Sequence, residues 1–567
     1  MTDRKASLSY QVLLGNLKCT SGHQSFLETI FNGLPSPNEA KISDLVSRFC
    51  SIDIGNCIDS AVRQEAILHK LYGLRSSKTY GGSALSNVDF LRFSDKISEY
   101  GDLSLGVHIL AHQSVGYKAI ELFGNRIQKE NYLPPLVKGE KIAAFCITEP
   151  DSGSDIRSLK TEAKFDEQTG GFILKGQKIW ITNGFESSTL TVFAKMNCPL
   201  DQRHHNKICA FIVDRDESLS INFIKDESKF GINKVSTSRI EFRGTKIPKE
   251  NLLGDIGDGM HIAKSVLNHG RLCLSASTCG ALRYALRKSQ HFTSQRKLFS
   301  YNLNRFGILK EKLKKNCQDL YINQTLTYLM GIQLDALNDN NLSYDIRDFA
   351  NQISIAKIFG SQSAFGAIDN CMQMLGGHGF VHSLDLHSKY KDLRVFRIFE
   401  GTNEVLKIAI GQNLMREYFL ARSNDYLGTI KILGERYLSG FSKICPMIFL
   451  QGNIAAIIPC EMRHQVKPIA KIIKMYNSDF KWAIMRLKKM LFVDHQHLLE
   501  AFVDIHSNII IIVSVLQRYK NRQVFSRMVG NDAVYEDELG LVISVIESKL
   551  LECENLLRLI KFKISKF

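Results

Sequence analysis

The stretch GFILKGQKIWITNG, Gly171 to Gly184, sets apolar residues against polar ones in near alternation and closes on an Asn-Gly pair. A two-residue period rich in β-branched and aromatic side chains reads as a half-buried strand rather than as one face of a helix. The same texture recurs in IAAFCITE (Ile142 to Glu149), STLTVFAKM (Ser188 to Met196), ICAFIVDRD (Ile208 to Asp216) and RIEFRGTKIP (Arg239 to Pro248), with Gly, Asn and Asp between them. Residues 145–255 are therefore expected to form a compact antiparallel β domain.

On both sides the period changes. Residues 1–144 space their apolar side chains three and four apart around a loop at TYGGSALSN (Thr79 to Asn87), and helical spacing returns after GDIGDGM (Gly254 to Met260). Phe365, Ile368, Met372 and Leu375 fall on one face of a segment that ends at GGHGF, a face read as core. Residues 256–420 are expected to be a helical bundle and residues 421–567 an additional helical domain. Helices, strands, helices and further helices do not alternate as a doubly wound sheet does, so the fold class is α+β. Gly376-Gly377-x-Gly379 follows a helix and not a strand, which speaks against a nicotinamide-binding fold.

With 567 residues the chain exceeds what one core serves, and its 44% hydrophobic and 23% charged residues are those of a folded globular protein. A formal charge of +16 suits nucleic acid, anionic lipid or an anionic small molecule, and charge alone does not choose among them. Zinc-finger spacing, an aromatic RNA-binding motif and a basic heptad are all missing, so no nucleic acid is expected. Thirteen scattered cysteines without a C-x-x-C pair argue against a disulfide framework and for a reducing compartment. His204-His205 and His495-x-His497 lack companion ligands, and no metal is expected. NIIIIVSVL (Asn508 to Leu516) is too short to span a bilayer and reads as a buried helix segment. Residues 4–27 carry Arg4, Lys5 and Lys18 without an acid, as a mitochondrial presequence does, while Asp3 and the sparse arginines point the other way.

Five short motifs carry the chemistry. FCITEPDSGSD (Phe145 to Asp155) joins a strand to a Gly-Ser turn that leaves amides and hydroxyls for a polar ligand edge, though a plain turn has the same composition. It is followed by KIWITNG (Lys178 to Gly184), RKLFS (Arg296 to Ser300), QMLGGHG (Gln373 to Gly379) and RIFEGTNE (Arg397 to Glu404). Singly, Trp180 could be core and the glycines a turn. In this order, from about residue 10 to about residue 420, the five resemble the acyl-CoA dehydrogenase family.

The resemblance implies an N-terminal helical domain, a middle antiparallel β domain and a C-terminal helical bundle, with FAD between the last two and a homodimer partner also touching it. Carried over by position, Phe145, Thr148, Ser154, Trp180 and Thr182 line the flavin, Trp180 as a flat apolar wall. Arg296 and Phe299 match the segment that reaches the cofactor of the other subunit, Arg296 toward the pyrophosphate. Gln373, Gly376 and Gly377 match a turn at the adenosine side, and Thr402, Asn403 and Glu404 fall where the family again touches FAD. Ser154, Asn268, Arg271, Phe399 and Gly401 fall on the acyl-CoA side. Glu400 matches the base that removes the α-proton of the acyl thioester while the β-hydrogen leaves as hydride to the flavin. Some members carry the base at the position of Gly270 in LNHGR, which has no side chain here and leaves Glu400 as the candidate.

The block after residue 420 resembles the branch that holds the very-long-chain enzyme and acyl-CoA dehydrogenase family member 9. That branch implies long-chain acyl-CoA as substrate, electron-transfer flavoprotein as acceptor and a place on the matrix side of the mitochondrial inner membrane. Family member 9 adds an alternative role with complex I assembly proteins. Lys467, Lys471, Lys474, Lys481, Arg486, Lys488 and Lys489 suit an anionic surface or a solvated helix face. The chain departs from the family pattern at SSKTYGG, at Lys310 in FGILK, at Ser388 and at Ser300.

Overall fold

The computed structural model describes residues 39–198, 203–215, 220–225, 228–339, 344–382, 385–422, 460–487, 495–520 and 538–564. Residues 4–27, whose composition points both toward and away from a presequence, and the basic residues Lys488 and Lys489 lie outside them, as do the side chains of Lys481 and Arg486. The chain forms two compact units, one of Asn38–Asn304 with Ala364–Gly401, the other containing Arg305–Ser363 and Thr402–Phe567.

The first unit opens with helices α1 (Glu39–Ser51), α2 (Ser60–Leu68), α3 (Asn87–Tyr100) and α4 (Leu103–Ala111). Their starts are written in the sequence, because Asp59, Ser86 and Asp102 each accept a backbone N–H of the first turn. A π-turn, His112–Gly116, separates α4 from α5 (Lys118–Phe123), and Asn125 with Gln128 closes a capping box at the start of α6 (Arg126–Lys138).

Eight strands follow: β1 (Ala143–Cys146), β2 (Glu162–Phe165), β3 (Phe172–Thr182), β4 (Thr189–Asn197), β5 (Ile208–Asp214), β6 (Ile221–Lys225), β7 (Thr237–Ile247) and β8 (Leu252–Leu253). They lie in the order β6-β7-β3-β2-β4-β5-β8, with β1 on β4. The sheet is not wholly antiparallel, because β1 and β2 both pair with β4 in parallel. The long loop between β1 and β2 lets both strands run alongside β4 in its own direction, a connection that a hairpin could not make. Leu174, Ile181, Leu190, Val192, Phe211 and Phe242 form the sheet's inner face.

The 37-residue helix α7 (Gly259–Gln295) returns against α3. The approach is close, since a Cβ on Gly280 would stand 1.8 Å from the Asp95 carbonyl oxygen. Buried Arg283 bridges Asp95 and Glu99, each at 2.8 Å, and fastens the two helices. After α7 come the hairpin β9 (Lys297–Leu298) and β10 (Tyr301–Asn302).

The second unit is helical: α8 (Gly307–Asp339), the first half of α9 (Ala350–Met374), then α11 (Asn403–Arg422), α12 (Val466–Leu487), α13 (Gln496–Lys520) and α14 (Glu538–Ile564); α10 (Leu386–Leu393) belongs to the first unit. NIIIIVSVL is part of α13, and Ile509, Ile511, Val515 and Leu516 are buried among these helices, as a core segment should be. By length and composition α13 would cross a membrane, but most of that window is inside the unit.

Candidate active site

Glu400 sits on a backbone bend that few non-glycine residues adopt, with φ at 57°, followed by Gly401 at 89°. The bend turns the carboxylate onto the bare Cα of Gly270 in α7. A Cβ built on Gly270 would lie 2.6 Å from Oε1 and 2.8 Å from Cδ of Glu400, so only glycine leaves room there. One residue along, the Arg271 guanidinium donates through Nε to the Glu400 carbonyl oxygen at 2.9 Å and through Nη1 to Asn268 Oδ1 at 2.8 Å. Burial pulls Arg271 down to about 10 while Glu400 raises it, and the group stays cationic at neutral pH.

The carboxylate opens on a cavity of about 150 Å³. Its walls come from α4 and the π-turn (Val107, Leu110, Ser114), from α7 (Leu267, Cys273, Ser277), from the β1 end (Phe145, Thr148) and from β3 (Trp180, Thr182), with Phe396 and Phe399 beside Glu400. Phe396 and Phe399 support one another with ring centroids 5.1 Å apart. Strand β3 explains the exposure of Trp180. Lys178 pairs with Ile240 and Ile181 with Ser238, so β3 carries one extra residue and bulges. Trp180 takes φ of 55° in the bulge and is 68% exposed, which offers a flat aromatic face instead of a core side chain.

Two residues inside the quoted motifs hold this arrangement without having been singled out as functional. Lys178 and Glu149 form a buried ion pair at 2.7 Å, and Glu149 also accepts the backbone amides of Lys160 and Thr161. Burial pulls Lys178 down to about 8 against the pull of Glu149; burial raises the Glu149 carboxyl, but Lys178 and the amides hold it below its ordinary value. Together with the Ile179 amide on the Thr148 carbonyl oxygen, the pair pins the Thr148 loop to the Trp180 bulge. No pattern in the sequence pointed to the pair, because Glu149 lies 29 residues away from Lys178.

The expected site residues divide into groups. Phe145, Thr148, Trp180, Thr182, Phe399 and Glu400 line one cavity. Arg271 and Asn268 support the Glu400 bend from α7, and Ser154 is exposed on the loop after β1. Arg296 and Phe299 are exposed at the end of α7, near Gln373, Gly376 and Gly377; His378 of that turn lies 5.4 Å from Phe292 of α7. None of these five residues lines the Glu400 cavity, and Gly376 and Gly377 face open space where a Cβ would meet nothing within 4 Å. In the second unit, Thr402 caps α11 through Val405 N–H, Glu404 is exposed, and Asn403 is buried with its side chain engaged by Lys357 at 2.9 Å and Ser361 at 3.0 Å. Asn403 is thus held by protein groups. Among the described residues no group of three or more His, Cys, Asp or Glu is placed to hold a metal.

Comparison with known proteins finds three consecutive family matches: acyl-CoA dehydrogenase N-terminal domain over residues 51–140, middle domain over 144–245 and C-terminal domain over 257–415. The human protein named very long-chain specific acyl-CoA dehydrogenase, mitochondrial, is 36% identical over 341 residues, which is 60% of this chain and 50% of that protein. The chain therefore spans about half the length of such relatives. A Bacillus subtilis acyl-CoA dehydrogenase is 32% identical over 61% of this chain and 87% of its own length. The crystal structure of a Bacillus anthracis acyl-CoA dehydrogenase complexed with FAD covers 98% of this chain and 94% of its own, with a TM-score of 0.74 and 25% identity.

Proposed function

Because this chain belongs to the acyl-CoA dehydrogenase family, we propose that it is an FAD-dependent enzyme that oxidises the Cα–Cβ bond of a long-chain acyl-CoA. The observation that carries the reading is the Glu400 carboxylate, turned by a left-handed bend onto Gly270 at the edge of an apolar cavity. In the proposed reaction this carboxylate, at the edge of the cavity, takes the thioester α-proton. Arg271 holds the Glu400 backbone in place through its Nε donation to the Glu400 carbonyl oxygen.

The residues fit the cofactor. Trp180 offers a flat wall and Thr148 and Thr182 offer hydroxyls within the cavity, while Arg296, Gln373, Gly376 and Gly377 form an exposed, cationic and uncrowded region suited to phosphate and adenosine. When bound, FAD supplies the acceptor for the β-hydrogen and its electron pair. The family's homodimer accounts for two groups of cofactor residues on one chain, each completing a site with the other copy.

E400Q keeps the bend and the volume and removes the base. FAD-loaded E400Q should stay yellow while its bleaching by long-chain acyl-CoA slows by about 10³-fold, within the range for general-base loss. An unchanged bleaching rate rejects the proposal.

The same reading takes electron-transfer flavoprotein as the electron acceptor and the matrix side of the mitochondrial inner membrane as the location, supported by the mitochondrial very-long-chain relatives. Exposed Lys467, Lys471 and Lys474 on α12 support contact with anionic lipid. They also offer a surface for the alternative role in complex I assembly, which E400Q protein that still sustains complex I levels would favour.

A further inference from the structure

Trp180 and Thr182 form one wall of the Glu400 cavity, and that wall rests on a bend left-handed at two residues that are not glycine, Trp180 (φ 55°) and Asn183 (φ 61°). Such backbone persists only where its surroundings hold it. On the Trp180 side the Lys178–Glu149 pair does so. On the Asn183 side stands a histidine from α4 that none of the sequence motifs contains.

His108 places Nε2 2.9 Å from the Tyr72 hydroxyl and Nδ1 2.8 Å from Asn183 Oδ1. Asn183 Nδ2 donates to the His108 carbonyl oxygen at 2.9 Å, which fixes the amide so that Oδ1 faces the ring. An amide oxygen only accepts, so Nδ1 carries the proton; Nε2 is then bare and accepts a hydrogen bond from the Tyr72 hydroxyl. Burial holds His108 neutral, down at about 4, although the Asn183 bond pulls upward. Burial also pushes the Tyr72 phenol above its ordinary value, so it stays a donor. Tyr72, His108 and Asn183 are each at most 2% exposed, and water does not compete for these bonds.

We propose that His108 is a positioning residue, which with Tyr72 behind it locks Asn183 in the left-handed bend and so presents Trp180 and Thr182 to the occupant of the Glu400 cavity. That the occupant is a flavin rests on the function proposed above; the lock itself does not. Loosening it releases an aromatic wall and leaves the proton-abstracting carboxylate where it was. The expected signature is therefore a change in Trp180 mobility and in ligand affinity.

The chain has two tryptophans, so W482F leaves Trp180 as the single emitter. In that background, time-resolved fluorescence anisotropy of full-length, FAD-free protein reads the bend directly. H108L removes both ring bonds; H108N returns an N–H donor near the position of Nδ1; Y72F removes the hydroxyl that donates to Nε2. Losing a net buried hydrogen bond shifts a local equilibrium about fivefold. The fast-depolarising amplitude should at least double in H108L, lie between in Y72F and return toward wild type in H108N. The FAD dissociation constant should rise about fivefold in H108L and recover in H108N. A general packing role would lower the urea midpoints of H108L and H108N alike without separating their anisotropies. An unchanged decay in folded H108L, or an H108N decay no better than that of H108L, overturns the proposal. Should H108L fail to fold, Y72F decides: a raised fast amplitude supports the lock and an unchanged one rejects it. Protein that never takes up FAD would sink the proposed function and leave the anisotropy result standing.

Discussion

Gly270 and Glu400 are one feature written at two places 130 residues apart in the chain. The carboxylate occupies the volume that a side chain at 270 would need, so G270A forces either the methyl or Glu400 to move. A misplacement of about 1 Å at a reacting group costs about 10²-fold in rate. G270A should therefore lower kcat/KM with long-chain acyl-CoA by about that factor while FAD uptake is unchanged, read by stopped-flow bleaching beside an FAD titration; undiminished turnover would refute the steric argument. Glu400 was legible because RIFEGTNE closes an ordered set of motifs that resembles the family, and the resemblance puts the base at that position. Lys178 was not, because period-two alternation sends a strand lysine outward, and its burial depends on a bulge and on Glu149 from a distant loop. His108 gave no signal, since a histidine among the apolar residues of a helix reads as core.

Among the elements, the β9–β10 hairpin shows what a family departure does physically. Its two central residues, Phe299 and Ser300, have φ of 50° and 71°, the left-handed pair that a type I′ turn requires and that glycine adopts most easily at the second place. Serine there costs about 1 kcal/mol of backbone strain. S300G should slow hydrogen exchange of the hairpin amides, by up to about fivefold, with no slowing counting against the strain. The α4 helix and the π-turn carry a pH dependence. Burial pulls His108 to about 4 and His112 to about 3, whereas an unfolded histidine titrates near 6.5. The unfolded chain therefore binds protons first on acidification. Their contribution to stability is whole above about pH 6.5 and declines by about 1.4 kcal/mol per pH unit for each histidine, until about pH 4 for His108 and about pH 3 for His112. Urea midpoints of wild type and H108N should diverge in slope between pH 6.5 and 4; parallel slopes would show that His108 takes up its proton without opposing the fold. Long elements were legible from period alone. The short strands β2 and β6 were not, being only four and five residues long, and the parallel pairings on β4 follow from loop paths that pattern does not encode.

Across the whole molecule, the chain returns to units it has left, and such interleaving has no linear signal. The helices after residue 459 share a core with α11, where Leu406, Ile410 and Leu414 pack in one cluster with Ile473, Phe502 and Ile509. A Cβ on Gly411 would stand 2.6 Å from Leu499 Cδ1, and Lys407 reaches Asp504 at 2.7 Å and Glu500 at 2.9 Å. Deleting everything beyond about residue 420 would strip that face of α11 and expose apolar core, so a truncated chain would report misfolding before it reported a lost partner. Surface charge is the cleaner handle. On α12, Ile469, Ile472, Ile473 and Tyr476 are buried, while Lys467, Lys471 and Lys474 recur at four- and three-residue steps on the exposed side. Each such cation contributes about 1 kcal/mol near an anionic bilayer, so removing three should weaken binding by about 10²-fold, and reversal to Glu adds repulsion. K467E/K471E/K474E protein should keep the wild-type melting temperature and lose flotation with vesicles containing anionic lipid, while neither protein binds neutral vesicles. Raising the ionic strength should remove the wild-type binding too, because the Debye length shortens to about 3 Å at 1 M salt. Wild-type flotation that survives both the triple reversal and high salt would mean that contact with lipid, if any, is made through a different surface.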